Sequence, residues 1–117
     1  SCYVYYGYGD EDHCGSSYPL TCDCSGLATN HFGMCGRPDA EWFYYNSCSW
    51  SEYSANILSS TGHICIVFGY DSGWDEFYYW ACPGKDNQGN PRLCFDFSIS
   101  HSGAHGQGWD HRYFYAG

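Results

Sequence analysis

One spacing of cysteine and histidine occurs twice in this sequence and restricts the folds that the chain can adopt. The two copies, C-x6-H-x3-C and C-x6-H-x3-H, comprise Cys24, His31 and Cys35, and Cys94, His101 and His105. The third position is therefore Cys35 in one copy and His105 in the other. Histidine cannot replace half of a disulfide, but thiolate and imidazole both donate an electron pair to zinc. The exchange favours metal ligands over disulfide partners.

Similarity between the two halves of the chain extends beyond these residues. The further matches are Cys2 with Cys65, Cys14 with Cys82, and residues 41–45 with residues 112–116. The offset changes in stretches rich in Gly, Asp and Ser, where loops vary most easily in length. We predict an internal duplication, with Cys/His zinc-binding repeats over residues 1–46 and 63–117 and a Ser-rich connector over 47–62. Coincidence in a chain rich in Tyr, Gly and Cys is the alternative interpretation.

The charge of the chain excludes several classes of function. Asp and Glu outnumber Lys and Arg by 13 to 4, which gives a net charge of −9. Such a chain repels nucleic-acid phosphates and anionic membrane surfaces. No apolar run approaches the ~20 residues that span a bilayer. The sequence begins at Ser1 without Met, as expected of a mature or trimmed protein.

The core of this protein must be built mainly from aromatic side chains, because the chain has 13 Tyr, 7 Phe and 5 Trp. Two cores of about 50 residues each are marginal from burial alone, and units of this size usually need disulfides or metal. The 9 cysteines could supply either. Their odd number leaves at least one thiol unpaired or places several on metal.

The residue pattern predicts a small β-rich fold of two similar β-hairpin units stabilised by metal. Runs of β-branched and aromatic residues predict strands over residues 3–8, 63–70, 76–81, 93–99 and 112–115, with 41–45 as a further candidate. A turn over residues 71–75 should join two of these strands in a hairpin from Cys65 to Cys82. Only residues 52–58 are expected to form a helix.

Two closed tetrahedral zinc sites are predicted, one in each repeat. The ligands are Cys14, Cys24, His31 and Cys35 in the first site, and Cys82, Cys94, His101 and His105 in the second. The roles of Cys2 and Cys65 stay open: they are ligands themselves or form cross-hairpin disulfides with Cys14 and Cys82. The alternatives to zinc are a set of disulfides with surface histidines, or copper or iron at the same residues.

Two further cysteines, Cys22 and Cys48, have no counterpart in the second repeat, and they either pair with each other or remain free thiols. The sequence contains no Gly-x-Ser-x-Gly elbow, no H-E-x-x-H helix and no phosphate loop. A catalytic zinc needs an open coordination position, whereas each predicted site offers four protein ligands. We therefore predict a non-enzymatic protein with structural zinc.

The duplicated Cys/His units and the aromatic-x-Cys element of Tyr79-Trp80-Ala81-Cys82 resemble the cysteine-rich, zinc-binding avirulence effectors of cereal and flax rust fungi. The resemblance is one of pattern and length over nearly the whole chain. It implies secretion, translocation into the cytoplasm of a host plant cell, and recognition there by an immune receptor. Zinc held by thiolate and imidazole would survive the reducing cytosol, in which disulfides are lost.

The expected partner is a host plant protein, with neither nucleic acid nor membrane involved. The loop over residues 85–91 and the acidic turns are expected to contact a basic patch on that protein. One rival interpretation is an extracellular disulfide-stapled binding module such as a lectin or a toxin, which keeps its fold in a chelator. Another is a small secreted hydrolase, in which three protein ligands hold a zinc ion with a bound water in an open cleft.

Overall fold

The computed structural model describes residues 23–34, 38–82, 87–88 and 94–116. Its helices are α1 (Cys24–His31), α2 (Ala40–Tyr45) and α3 (His101–Gly106). Its strands are β1 (Cys48–Ser49), β2 (Ile57–Ser60), β3 (His63–Asp71), β4 (Glu76–Ala81), β5 (Phe95–Ser100) and β6 (Asp110–Tyr113). Each of the helices that the structure describes is too short to cross a bilayer.

The six strands form one antiparallel sheet in the order β1-β6-β2-β3-β4-β5. The strand β6 lies between β1 and β2, although it follows all the other strands in the sequence. The prediction of a small β-rich fold is confirmed. The described strands belong to one continuous sheet and not to two separate hairpin units.

Four of the predicted strands are present, with bounds that differ from the predicted ones by at most two residues. Residues 63–70 correspond to β3, 76–81 to β4, 93–99 to β5 and 112–115 to β6. Runs of β-branched and aromatic residues made these strands recognisable. The strand predicted over residues 3–8 lies outside the described residues.

The strand β2 replaces the helix predicted over residues 52–58, which is wrong. Its side chains Ile57 and Leu58 are both fully buried and point to opposite faces of the sheet. The segment that contains it is rich in Ser and lacks the run of β-branched and aromatic residues that marked the other strands. The Ser-rich segment 47–62 therefore contains β1 and β2, and β2 lies inside the sheet.

The helix α2 replaces the strand that was a further candidate over residues 41–45, and that prediction is also wrong. The side chain of Asp39 accepts a hydrogen bond from the Trp42 backbone amide at 2.8 Å and so caps the start of the helix. The buried residues Ala40 and Phe43 are three positions apart, which is helical spacing. The cap and this spacing outweigh the strand preference of the aromatic run.

The predicted hairpin from Cys65 to Cys82 is confirmed, because β3 and β4 pair antiparallel through the turn at residues 72–75. The carboxylate of Asp71 accepts hydrogen bonds from the backbone amides of Gly73 and Trp74 inside this turn. The two cysteines of the hairpin belong to core clusters on opposite faces of the sheet. This placement explains why they do not form the cross-hairpin disulfide.

The helices α1 and α2 cover one face of the sheet, which we call the helix face. Its core consists of Leu27, Ala28, Ala40, Phe43, Ile57, Ile64, Ile66, Cys82 and Phe114. The ring centroids of Phe43 and Phe114 lie 5.0 Å apart at a steep angle, and Phe32 packs against Phe114 at 4.9 Å. This arrangement brings both helices onto the centre of the sheet.

The helix α3 packs on the opposite face of the sheet, which we call the α3 face. The core there consists of Leu58, Cys65, Phe77, Tyr79, Ala81 and Ala104, with Trp109 packed against it. The helix starts directly after β5, and the Ser100 side chain caps it by accepting from the Gly103 amide. A Cβ atom at Gly103 would lie 2.9 Å from the Ser100 Oγ atom, so this sharp reversal needs glycine.

The predicted internal duplication does not appear as a structural repeat in the described residues. The six-residue spacer between Cys24 and His31 is part of helix α1, whereas the matching spacer between Cys94 and His101 is strand β5. Residues 41–45 likewise lie in a helix, while Arg112 and Tyr113 of the matching segment lie in strand β6. The duplication therefore remains a prediction from the sequence.

Candidate functional site

The structure describes half of the first predicted zinc site. Cys24 and His31 are the first and last residues of α1, so their Cα atoms lie about 10 Å apart along the helix axis on the same side. Cys24 lines an open cavity of about 240 Å³. Burial raises the pKa of its thiol. Cys2, Cys14 and Cys35 lie outside the described residues, so this site stays a prediction.

The second predicted zinc site is not assembled in the structure. A disulfide joins Cys82 to Cys94, and two bonded sulfur atoms are not thiolate ligands. The six residues of β5 separate Cys94 from His101 by about 20 Å, because a strand rises about 3.3 Å per residue. His105 lies on α3, four residues after His101.

The remaining described cysteines carry free thiols. Cys65 is fully buried, and burial raises the pKa of its thiol well above the usual range. Cys48 is exposed and unbonded, which is one of the two states that the sequence left open for it. Its possible partner Cys22 lies outside the described residues.

Metal-ligating side chains are dispersed over much of the described molecule. Within residues 23–34, 38–82, 87–88 and 94–116, no group of three or more His, Cys, Asp or Glu side chains is arranged to hold an ion. Two histidines nevertheless come together on the α3 face, in a cluster that the cysteine spacing did not predict.

His101 is held by Asp75, which lies in the turn of the β3–β4 hairpin. The His101 Nδ1 atom lies 3.1 Å from a carboxylate oxygen of Asp75, and the His101 backbone amide donates to the Asp75 carbonyl at 2.9 Å. The Tyr70 hydroxyl donates to the same carboxylate oxygen. This hydrogen bond lowers the pKa of Asp75 and raises that of Tyr70.

Asp75 occupies an unusual backbone conformation, with φ of 52°. This left-handed region is several-fold richer in Asp and Asn than in most other residues, but it is strained for any side chain other than glycine. The two hydrogen bonds to His101 and the one to Tyr70 hold the residue there. The turn of the hairpin thereby positions a carboxylate against the first turn of α3.

His111 approaches His101 from strand β6, although β6 pairs with β1 and β2 and not with β5. Its ring centroid lies 5.0 Å from that of His101, with an angle of 74° between the two ring planes. Its Nδ1 atom is hydrogen-bonded to the backbone carbonyl of Trp50. The buried ring of Phe77 packs against both imidazoles, at 5.5 Å from His101 and 6.0 Å from His111.

The hydrogen bonds assign one tautomer to both rings when they are neutral. A backbone carbonyl only accepts, so the Nδ1 atom of His111 must carry its proton. The carboxylate of Asp75 likewise accepts from the Nδ1 proton of His101. Each Nε2 atom then carries a lone pair, and within the described residues the structure shows no hydrogen bond to either of them.

An open cavity of about 540 Å³ lies beside His101. Asp75, His101, Ser102, His105 and Gly106 line it. The side chain of His101 is 29% exposed, so a small ligand can reach its ring from solvent. The His101 ring therefore provides a nitrogen donor at the edge of this cavity.

A second surface of interest lies on the helix face beside the end of α1, whose last residue, His31, has its ring 6.3 Å from that of Trp80. We call Phe68, Tyr78 and Trp80 the aromatic patch. Phe68 lies at a β-bulge in β3, and its ring packs 5.9 Å from that of Trp80 and 6.5 Å from that of Tyr78. Phe68 is 56% exposed and Trp80 is 41% exposed. The patch is therefore an accessible apolar surface on paired strands.

Carboxylates surround the aromatic patch. Asp96 lies directly opposite Trp80 across the β4–β5 pair, and Glu76 precedes Tyr78 by two residues on the same face. Burial raises the pKa of Tyr78, and the charges of Glu76 and Asp71 raise it further. Arg112 is the one Lys or Arg within the described ranges, and Ser47 binds its guanidinium group through hydrogen bonds at 2.6 and 2.8 Å.

Sequence reasoning included His101 among the predicted ligands, but it missed His111 and the groups that support both rings. Asp75 and Trp50 are distant in sequence and meet the histidines only because β4 pairs with β5 and β1 pairs with β6. Three histidines spaced along one segment were the signal available for this site.

No protein-family model, curated protein or solved structure matches this chain. The functional proposals therefore depend on the sequence pattern and on the geometry of these two surfaces.

Proposed function

We propose that this chain is a secreted, non-enzymatic effector of the avirulence type, which binds a host plant protein and is recognised by a plant immune receptor. The observation that carries the proposal is the aromatic patch, because exposed apolar surfaces of this kind serve as sites of protein contact. The resemblance to rust effectors supplies the biological setting of the proposal. The patch supplies the means of contact.

The chemistry of the patch specifies its partner. Trp and Tyr are the residues that most often dominate the binding energy of an interface. A rim of carboxylates steers association toward positive charge and disfavours acidic competitors. The partner should therefore present an apolar pocket flanked by Lys or Arg. This assignment moves the main contact surface from the loop at 85–91 to strands β3, β4 and β5.

The disulfide between Cys82 and Cys94 supports the secretion part of the proposal, since such bonds form and persist in oxidising compartments. The bond would be subject to reduction after entry into a plant cell. A zinc ion at Cys14, Cys24, His31 and Cys35 stays part of the proposal, because metal coordination would then keep the first half of the chain folded.

Expression in host leaves tests this function with a matched pair of variants. The double variant Phe68→Ser/Trp80→Ser removes the patch, and the control Tyr45→Ser/Tyr115→Ser removes two exposed aromatics elsewhere, which are 69% and 80% exposed. Each protein is expressed without a secretion signal in a panel of cereal and flax lines, and cell death is scored at equal protein level.

We expect the wild-type protein and the control variant to cause cell death in at least one line, and the patch variant to cause none. Circular dichroism of the purified variants confirms that both remain folded. Cell death of equal strength from the patch variant would refute the assignment of the surface. A complete lack of response across the panel would count against the effector function itself.

The Cys82–Cys94 disulfide also favours a second candidate, an extracellular disulfide-stapled binding module such as a lectin or a toxin. An exposed Trp and Phe on a sheet would then contact the face of a sugar ring. Denaturant titration with and without a chelator separates the two candidates. The stapled module keeps its stability in the chelator, whereas a zinc-stabilised effector loses it. Binding on a glycan array would add direct support for the module.

A further inference from the structure

We propose that His101 and His111 bind a divalent late transition-metal ion, zinc or copper, through their Nε2 atoms. This site differs from both cysteine–histidine sites that the sequence predicts. It contains no thiol and includes His111, which lies outside the duplicated spacing. It depends on the pairing of strands in the α3 face and not on the aromatic patch.

The first argument concerns the hydrogen bonds at the far side of each ring. Histidines that bind metals almost always donate their other ring proton to a carboxylate or a backbone carbonyl, which fixes the tautomer and the ring orientation. His101 has the Asp75 carboxylate as this partner, and His111 has the Trp50 carbonyl. One ring is therefore supported by a carboxylate and the other by a backbone carbonyl. Both arrangements leave the Nε2 atom of the ring available.

The second argument concerns the separation of the two rings. Two imidazoles that share a tetrahedral ion at the usual Zn–N distance have ring centroids about 5 Å apart. The centroids of His101 and His111 lie 5.0 Å apart. The packing of Phe77 against both rings holds this separation, because that side chain is fully buried.

The third argument concerns access and the remaining coordination positions. Two imidazoles occupy two positions, and the cavity of about 540 Å³ beside His101 admits water to the others. Zinc and copper are the common divalent ions for which imidazole is a preferred ligand. The site is therefore open and exchangeable, in contrast to a closed four-ligand structural site.

His105 provides a matched control for this proposal. It lies four residues after His101 on α3, lines the same cavity and is exposed. A histidine pair four residues apart on a helix can itself bind a metal ion. Substitution of His105 and His111 in parallel therefore shows which of the two is the partner of His101.

Calorimetric titration with zinc chloride and with copper chloride compares the wild-type protein with His101→Ala, His111→Ala and His105→Ala. Loss of a ligand should cost at least as much as loss of a supporting partner, about 10–100-fold in affinity. We expect His101→Ala and His111→Ala to weaken one binding event by at least tenfold and His105→Ala to leave it within twofold. Asp75→Asn, which keeps a residue tolerant of positive φ, should weaken it by about tenfold.

Nitrogen-15 NMR of the unsubstituted protein tests the same site without relying on a folded variant. Before metal is added, both rings should show the tautomer with the proton on Nδ1. Zinc should then shift the Nε2 resonances of His101 and His111, and those of His105 should stay unchanged. These shifts also separate this site from any zinc bound at Cys24 and His31.

Three results would overturn the proposal. The first is unchanged affinity after substitution of His101 or His111. The second is a loss with His105→Ala but none with His111→Ala, which would assign the ion to the helical pair. The third is the opposite tautomer at either ring. The patch variant Phe68→Ser/Trp80→Ser should bind the metal as the wild type does, so the effector proposal and the metal proposal can fail separately.

Discussion

The two faces of the sheet are covered by different kinds of side chain. The helix face is filled with aliphatic residues and Phe, and its central rings, Phe43 and Phe114, are buried under α1 and α2. The α3 face combines Phe77 and Leu58 with Tyr, Trp and His side chains, many of which reach solvent. A short helix covers it incompletely.

This difference assigns stability mainly to one face of the sheet and reactive side chains mainly to the other. The helix face has a buried core beneath its helices, while its uncovered part carries the aromatic patch. The α3 face leaves titratable groups beside an open cavity, where Asp75 and Trp50 fix the imidazoles. Substitutions on the two faces should therefore have different consequences, and three predictions follow from this expectation.

The largest effect is expected from truncation of the two central Phe residues. Phe43 and Phe77 are each 0% exposed. Replacement of either one by Ala should lower the free energy of unfolding by about 3–5 kcal/mol, because it removes buried area and leaves a cavity. Denaturant titration measures this loss. Zinc affinity should fall at least tenfold in Phe77→Ala and stay near the wild-type value in Phe43→Ala. An equal fall in both variants would contradict the assignment of metal binding to the α3 face alone.

A smaller effect is expected from the disulfide, whose Cys82 belongs to the core of the helix face. The bond closes a loop between residues separated by 12 positions, so its removal should cost about 3 kcal/mol through the entropy of the unfolded chain. The variant Cys82→Ala/Cys94→Ala should therefore unfold at lower denaturant concentration. Cys48→Ala, at an exposed free thiol, is the control and should change stability by under about 0.5 kcal/mol. Equal stability of both variants would show that the bond contributes nothing.

The smallest effect is expected from His63, whose ring stacks on Trp109 on the α3 face at 5.2 Å. Burial lowers the pKa of His63. Because the folded protein binds this proton less readily than the unfolded chain, stability should be retained above the unfolded value near pH 6.5 and should decrease as the pH falls below it. Denaturant titrations from pH 7.5 to pH 5 should show this decrease in the wild type. A decrease of the same size in His63→Gln would assign it to other groups.

Parts of the fold were predictable from local patterns of residues. The strands β3 and β4 were recognisable from their runs of β-branched and aromatic residues, and the turn was recognisable from Asp71 and Gly73. The strand β2 was not, because it lies in a Ser-rich segment without such a run. The helix α2 was missed because the Asp39 cap and the burial of Phe43 outweighed an aromatic run.

The functional residues were harder to predict, because a given spacing along the chain does not determine the distance between two residues in the fold. The same six-residue spacer forms a helix after Cys24 and a strand after Cys94, so equal spacings place their ends at different distances. The zinc site predicted in the second repeat included His101 and His105 but not His111. The supports of His101 and His111 come from a turn and from the end of β1, and only the strand order of the sheet brings them together.

The insertion of β6 between β1 and β2 has a consequence for biosynthesis. A ribosome delivers both flanking strands long before it delivers residues 110–113, so the sheet stays in separate pieces until those four residues have emerged. The edge of β2, with Ile57 and Leu58, is meanwhile open to pairing with other nascent chains. Correct assembly would therefore depend on late closure of the sheet, which favours protection by a chaperone during translation.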